Sequence, residues 1–298
     1  MLESLYSNKR EILKKAQDYF LNSSSLILKI GCELEFFLLQ ENGQALENQA
    51  LLADLICELS ESLGSLIYQV EKEQGASQIE IKTSFTPDLT RLCEELEAAK
   101  NFVKNFAKEK NLVASFTSQP FENDCGSALQ FNISLHEAEK NIFEFDEKIL
   151  KNVAASLLKK TNEMMIFLAP KNEDYARFCV ETNRNLFKQG KFSAPVNLSF
   201  GADNRTCAIR IPKSKLGKRL EYRIAAADAD LFLSVAAIIL AVSCGLNGEF
   251  EEFEQIHGNA FDEQYCLKSF CKNLDEARAE FAKEGNFLSN FFRSPSKA

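Results

Sequence analysis

Long segments with helical periodicity accompany shorter apolar runs bounded by turn residues, and because several of those runs follow one another without a helix between them, the mixture predicts an α+β fold. Two further observations agree. The strand-like runs gather around tight turns, in Ser65–Phe85 and again between Ala194 and Arg223. The 298 residues are 45% apolar, enough to bury one large core or two small ones.

Leu2 to Asn22 carries apolar residues at helical spacing and stops at Asn22-Ser23-Ser24-Ser25. Leu26 to Gln40, LILKIGCELEFFLLQ, reads as a strand in which Glu33 and Glu35 share one face. Two acids on one face of an apolar strand are costly unless a cation lies between them; a surface strand edge is the simpler alternative. Gln44 to Leu63 is an amphipathic helix. Ser65 to Phe85 is a hairpin turning at Gly75, which brings Glu73 and Glu80 toward each other; a charged rim would also account for it, with Glu71 and Lys72 at the surface. Pro87 to Lys110 is a long helix capped by Thr86, followed by a strand over Leu112–Thr117 and a loop over Gln119–Asp124. Gly126 to Leu135 is a loop and strand, and Phe145 to Ala169 a helix ended by Pro170. Val196–Phe200, Cys207–Ile211 and Leu220–Arg223 are short strands set apart by Gly201, Asp203, Asn204, Pro212 and Gly217. Ala225 to Asn247 is a buried helix, whose apolar run Leu231–Val242 is too short to span a bilayer. Asn273–Lys283 forms a last helix before Phe287-Leu288 and a Phe-rich end.

The net charge of −8 argues against non-specific binding to nucleic acid or to an anionic membrane. The nine cysteines are scattered and odd in number, with no CxxC, and only two histidines accompany them. That is poor material for a zinc site or a disulfide framework and fits reduced thiols. The first residues lack the apolar core of a signal peptide, so a cytoplasmic protein is expected.

Chemistry concentrates between Ala194 and Arg223, where Arg205, Arg210, Arg219 and Arg223 accompany one strand acid, Glu221, besides Asp203 in a turn. Guanidinium is permanently charged and offers a planar donor fork matched to phosphate and carboxylate oxygens. A solvated basic strand pair would give the same composition.

The string APVNLS…DNR…AIRIP…EYR, continued by ADA, resembles the core of the glutamine synthetase family. The Glu33-Leu34-Glu35 strand, Glu73-x-Gly75-x-x-Gln78-x-Glu80 and the Asn172–Phe178 element around Tyr175 and Arg177 are similar to other motifs of that family. The likeness runs over roughly residues 26 to 290. It implies the glutamine synthetase/guanido kinase-type catalytic fold, a curved antiparallel β-sheet with flanking helices. Residues 1–298 would form a single catalytic domain, with an N-terminal helix over 1–24 and no β-grasp domain.

By the same resemblance Glu35, Glu73 and Glu80 would bind one Mg²⁺ or Mn²⁺, and Glu33 and Glu221, with Gln130, a second. Gln130 and Asn132 stand where the family carries histidines, so a weaker or altered second site is expected. Phe85, Asn132, Ser134 and Arg219 would face the nucleotide. Arg205, Arg210 and Arg223 would be catalytic, neutralising phosphates with Arg223 on the transferring phosphoryl group, while Gly126, Arg177, Arg205, Arg223 and Ser193 would surround the acid substrate. Ser193 replaces the glutamate that takes a proton from ammonium, a task beyond a hydroxyl. The implied activity is an ATP- and Mg²⁺-dependent ligation of glutamate, or a similar carboxylate, to an amine other than ammonia, giving a γ-glutamyl amide through an acyl phosphate. A glutamate–ammonia ligase, a glutamate–cysteine ligase-like enzyme and a catalytically inactive binding protein are the alternatives. A homo-oligomer is compatible with each.

Overall fold

The structure is a computed structural model and describes residues 2–191 and 194–293. The chain opens with α1 (Leu2–Ser7) and α2 (Lys9–Ser23), then β1 (Ile27–Gln40), α3 (Gln49–Ser62), β2 (Ile67–Lys72), β3 (Gln78–Thr83) and α4 (Leu89–Glu109). It continues through β4 (Leu112–Ser115), β5 (Leu129–Glu137), β6 (Lys140–Asn141) and α5 (Glu147–Leu168). A 3-10 segment, Asn172–Phe178, leads to α6 (Val180–Lys188) and the short strands β7 (Phe200–Ala202), β8 (Ile209–Ile211) and β9 (Leu220–Tyr222). Helices α7 (Leu231–Leu246), α8 (Leu274–Ala282) and α9 (Phe287–Arg293) close the described chain.

The strands form one sheet in the order β2-β3-β1-β5-β9-β8-β7, with β4 pairing β1 and β6 pairing β5. β1 is its axis, because fourteen extended residues let it pair with β3, β4 and β5 at once. The expected α+β architecture is present. The sheet is mixed, however: β7 and β8 run parallel, joined by a turn that crosses over through Asp203.

Side-chain alternation gives the sheet two different faces. Leu34, Phe36, Ile79, Ile81, Phe131, Ile133 and Tyr222 are buried among the helices in the main core. Helix α7 packs between α5 and α2, which is why it is apolar on all sides rather than along one stripe. The buried Tyr222 hydroxyl meets Thr161 Oγ1 at 2.9 Å, so β9 is pinned to α5 through a polar contact inside an apolar layer.

Several expected boundaries move, each for a local reason. The N-terminal helix breaks at Asn8 into α1 and α2. The helix expected from Gln44 begins at Gln49, because Ala45 first bridges Leu39 and Asn48 then caps through its side chain onto the Leu51 N–H. The cap of α4 is Asp88, whose carboxylate accepts from Arg91 N, while Thr86 Oγ1 accepts from Asp88 N. Val196–Phe200 is strand only from Phe200, since Asn197 and Ser199 turn their side chains on each other and Asn197 bonds Ala260 O. The helix expected from Ala225 starts at Leu231, capped by Asp230.

Gly245 lets α7 lie close against α5: a Cβ there would lie 2.9 Å from Val153 Cα and 3.0 Å from Asn152 O. Gly245→Val should therefore lower stability by about 1–3 kcal/mol despite better helix propensity. Chemical denaturation checks this, and an equal or higher midpoint contradicts it.

Candidate active site

The face of the sheet away from Leu34 and Phe36 carries a polar stripe that crosses five strands. Its order follows from register. Glu35 lies opposite Glu80, and Glu33 opposite Lys82 on one side and Gln130 on the other. Asn132 lies opposite Glu221, and Glu221 opposite Arg210. A one-residue slip in β1 would send both glutamates into the helix layer, so the apolar residues between them fix their direction.

Glu73 joins from the turn between β2 and β3, held by its N–H donating to Gln78 O at 2.9 Å. The turn closes on Gly75, whose N–H donates to Gln78 Oε1 at 3.0 Å. Carboxylate oxygens of Glu35, Glu73 and Glu80 all lie within 4.8 Å of one another. Glu35 and Glu80 are only 6% and 4% exposed, so their mutual repulsion is little screened by solvent.

Each acid is held in place by donors. Glu35 accepts from Ala128 N at 2.8 Å, Gln130 Nε2 at 2.6 Å and Gln78 Nε2 at 3.3 Å. Glu33 accepts from Asn132 Nδ2 at 3.1 Å. Lys82 Nζ meets Glu80 Oε2 at 2.9 Å and also Glu71. Burial first, and Glu73 next, push the Glu35 carboxyl up to about 7. Burial likewise raises Glu33, seconded by Glu221, and Glu80, seconded by Glu33 and Glu35; burial raises Glu73 too. Burial opposes the charge on Lys82, but Glu80 and Glu71 outweigh it and hold the ammonium above its ordinary range.

Three of the arginines join the acids in one cavity, lined by Glu35, Glu73, Gln130, Arg177, Arg205 and Arg223. Arg223 Nε lies 3.1 Å from Glu221 Oε1, and Arg210 Nη1 2.8 Å from Glu221 Oε2. Arg210 also reaches Asp203 Oδ1 at 2.5 Å, and Arg223 donates to the Arg205 carbonyl. Arg177 is 3% exposed and gives Nη1 and Nη2 to the carbonyls of Ile224 and Arg223, each at 2.9 Å, leaving its buried Nε without a partner among the described residues. Burial lowers Arg177 to about 10. Gly126 is required beside it, since a Cβ there would lie 2.7 Å from Ser118 O and 3.0 Å from Arg177 Cγ. Arg219 donates from Nε to Asn132 Oδ1 at 2.7 Å, keeps a buried Nη1 without a partner, and lies 6.0 Å from the centroid of the half-buried Phe85 ring. Ser134 Oγ meets His136 Nε2 at 3.1 Å.

Glu35, Glu73 and Glu80 fit a hard divalent cation. All three ligand atoms are oxygens, and cis or trans pairs on one Mg²⁺ lie roughly 3 to 4.2 Å apart, close to the 4.8 Å spread seen here. The second expected set differs. Both Glu221 oxygens are already engaged by guanidinium groups, and the Gln130 amide donates to Glu35 while its oxygen accepts from Arg223 Nε at 3.3 Å. A cation between Glu33 and Glu221 would have to displace those partners. Ser193 lies outside the described residues.

Two residues at or beside the site carry no motif that marked them in the sequence. Cys125 lines the cavity directly before Gly126, its thiol pushed up to about 12 by burial. Lys82 shares the strand face of Glu80 two residues on, a spacing that could have identified it.

Residues 42–296 match the family described as glutamine synthetase, catalytic domain. The chain is 30% identical over 198 residues to the γ-glutamylputrescine synthetase of Escherichia coli, covering 64% of this chain and 40% of that one. It is 30% identical over 243 residues to the glutamate–methylamine ligase of Methyloversatilis universalis, covering 76% and 53%. With the glutamine synthetase of Haemophilus influenzae it shares 28% over 246 residues, 78% and 50% of the two chains. The chain thus spans about half the length of these relatives. A solved GmaS–ADP complex superposes with a TM-score of 0.79 at 22% identity, over 95% of this chain and 70% of that one. Among the described residues, no helix is long and apolar enough to cross a membrane.

A carboxyl held above its ordinary value binds protons more tightly folded than unfolded, so the stability it contributes is full at low pH and declines as pH rises. For Glu35 the decline runs from about 4.5 to about 7. The melting temperature of metal-free protein should fall across that interval, and saturating Mg²⁺ should restore it above pH 7. A melting temperature that rises across the interval, or that ignores Mg²⁺, contradicts the electrostatic description of the cluster.

Proposed function

The chain belongs to the glutamine synthetase family, and from that premise we propose that it is an ATP-dependent ligase joining a side-chain carboxylate, glutamate or a close analogue, to an amine other than ammonia. One observation carries the reading: the carboxylates of Glu35, Glu73 and Glu80 converge, and the first two line one cavity together with Arg177, Arg205 and Arg223. Acids and guanidiniums lining one cavity suit a polyanion that arrives with its own divalent cation.

Glu35, Glu73 and Glu80 would hold Mg²⁺ or Mn²⁺, which neutralises nucleotide phosphates when bound. Arg205 and Arg223 lie where they can gather the oxygens of a transferring phosphoryl group, and Arg210 orients the same row through Glu221. A substrate carboxylate oxygen attacks the terminal phosphorus and ADP leaves. The amine nitrogen then attacks the acyl carbon, phosphate departs, and the nitrogen loses a proton. Arg177, with its unused buried Nε, and Gly126 would border the acid substrate. Phe85 and Arg219, with Asn132 and Ser134 along β5, would border the nucleotide. We assign the whole of 1–298 to one catalytic unit on the strength of its continuous sheet.

The identity of the amine rests on other support. The two relatives at 30% identity carry the names of putrescine and methylamine ligases, while the Haemophilus influenzae glutamine synthetase shares 28%. Ser193, where the family has an acid that serves ammonium, agrees with a bulkier amine that brings its own contacts.

ADP release measured with ATP, Mg²⁺, glutamate and a panel of amines should be amine-dependent, with alkylamines or diamines at least tenfold better than ammonium in kcat/KM. A preference for ammonium, or no turnover with any amine, overturns the proposal. Glu73→Ala and Glu80→Ala should each abolish metal-dependent nucleotide turnover while leaving the metal-free melting temperature equal or higher, since each removes an acid repelled by its neighbours. Turnover retained in both variants would disprove the assigned cation site.

A further inference from the structure

We propose that Lys82 is a resident cation of the phosphate cleft, binding nucleotide polyphosphate directly and standing in for one divalent ion. The inference deepens the proposed function and rests on its reading of the cleft as a nucleotide–metal site. Lys82 lies on the same strand face as Glu80 and in register opposite Glu33, so its stem projects between an acid of the first cation set and an acid of the second. Its Nζ is 2.9 Å from Glu80 Oε2 and also contacts Glu71.

An ammonium has three N–H donors, and these contacts use two. The Lys82 side chain remains 22% exposed, against 5% for Glu80, so solvent reaches it where Glu80 is sealed off. Without Lys82 this end of the stripe would present Glu71 and Glu80 with no salt-bridged cation among the described residues, Arg219 acting on Glu33 alone, and phosphate oxygens approaching it would be repelled. At the other end, Arg210 and Arg223 already do for Glu221 what a cation would do. The stripe therefore carries side-chain cations at both ends, around one carboxylate set that fits a divalent ion.

The test compares wild type, Lys82→Met and Lys82→Arg by calorimetric titration with ADP in EDTA, and then with Mn²⁺. Wild type and Lys82→Arg should bind ADP without metal, and Lys82→Met should bind it at least tenfold more weakly. Saturating Mn²⁺ should restore the affinity of Lys82→Met as it takes up one more ion per chain than wild type. Cooperative melting verifies folding; if Lys82→Met fails it, Lys82→Gln replaces it. Equal ADP affinity of wild type and the neutral variant in EDTA overturns the role of Lys82 while leaving the ligase reading intact. Failure of wild type to bind either Mn²⁺ or ADP would overturn both.

Discussion

Repulsion among buried acids is the constraint around which this molecule is arranged. Glu35, Glu73 and Glu80 bring their oxygens within 4.8 Å, and each like-charged pair at that spacing opposes folding by about 3 kcal/mol at an effective dielectric near 20. A fold tolerates this only if its framework is stiff and something offsets the charge. The framework is β1, pinned on both sides by β3 and β5 and covered on its other face by Leu34 and Phe36 against the helices. The offset is supplied partly by Lys82 and by hydrogen bonds from Gln78, Ala128 and Gln130, and partly by protons, as the raised Glu35 carboxyl indicates. The repulsion that remains is what a divalent cation at the proposed site would relieve.

The arginine side follows a different rule. Arg210 and Arg223 clamp Glu221 from neighbouring positions, and Arg177 ties the chain just beyond β9 through two carbonyls. These contacts preorganise guanidinium groups at little cost when an anion arrives, because their rotamers are already fixed. The acids come from strands and one tight turn, the guanidiniums mostly from strand ends and loops.

Much of this arrangement was legible in the sequence, for reasons that differ by element. Glu33 and Glu35 could be placed on one face because a strand repeats every two residues, and Glu73 and Glu80 could be brought together because Gly75 marks the turn. Sequence-distant register was not legible: nothing in β5 or β9 says that Asn132 will face Glu221, and that pairing decides how the second carboxylate set is used. Element starts shifted where neighbouring polar side chains divide the work: Thr86 accepts from Asp88 N while Asp88 caps Arg91 N before α4, and Ser199 donates to Asn197 before β7. The parallel pairing of β7 with β8 was invisible, since three-residue strands carry too little alternation to declare direction. Lys82 was overlooked because a lysine two residues from an acid is ordinary on a solvated strand, and only the depth of Glu80 makes it unusual.

The account stands on one spatial claim, that the three acids take a divalent cation in common while the guanidinium wall takes the phosphates. Crystals grown with Mn²⁺ and ADP, with diffraction recorded at the manganese absorption edge, test it most directly. The account predicts an anomalous peak bonded to Glu35, Glu73 and Glu80, with the terminal phosphate of ADP between that peak and Arg205 or Arg223. Manganese bound elsewhere, or nucleotide seated with its phosphates away from both arginines, would contradict it.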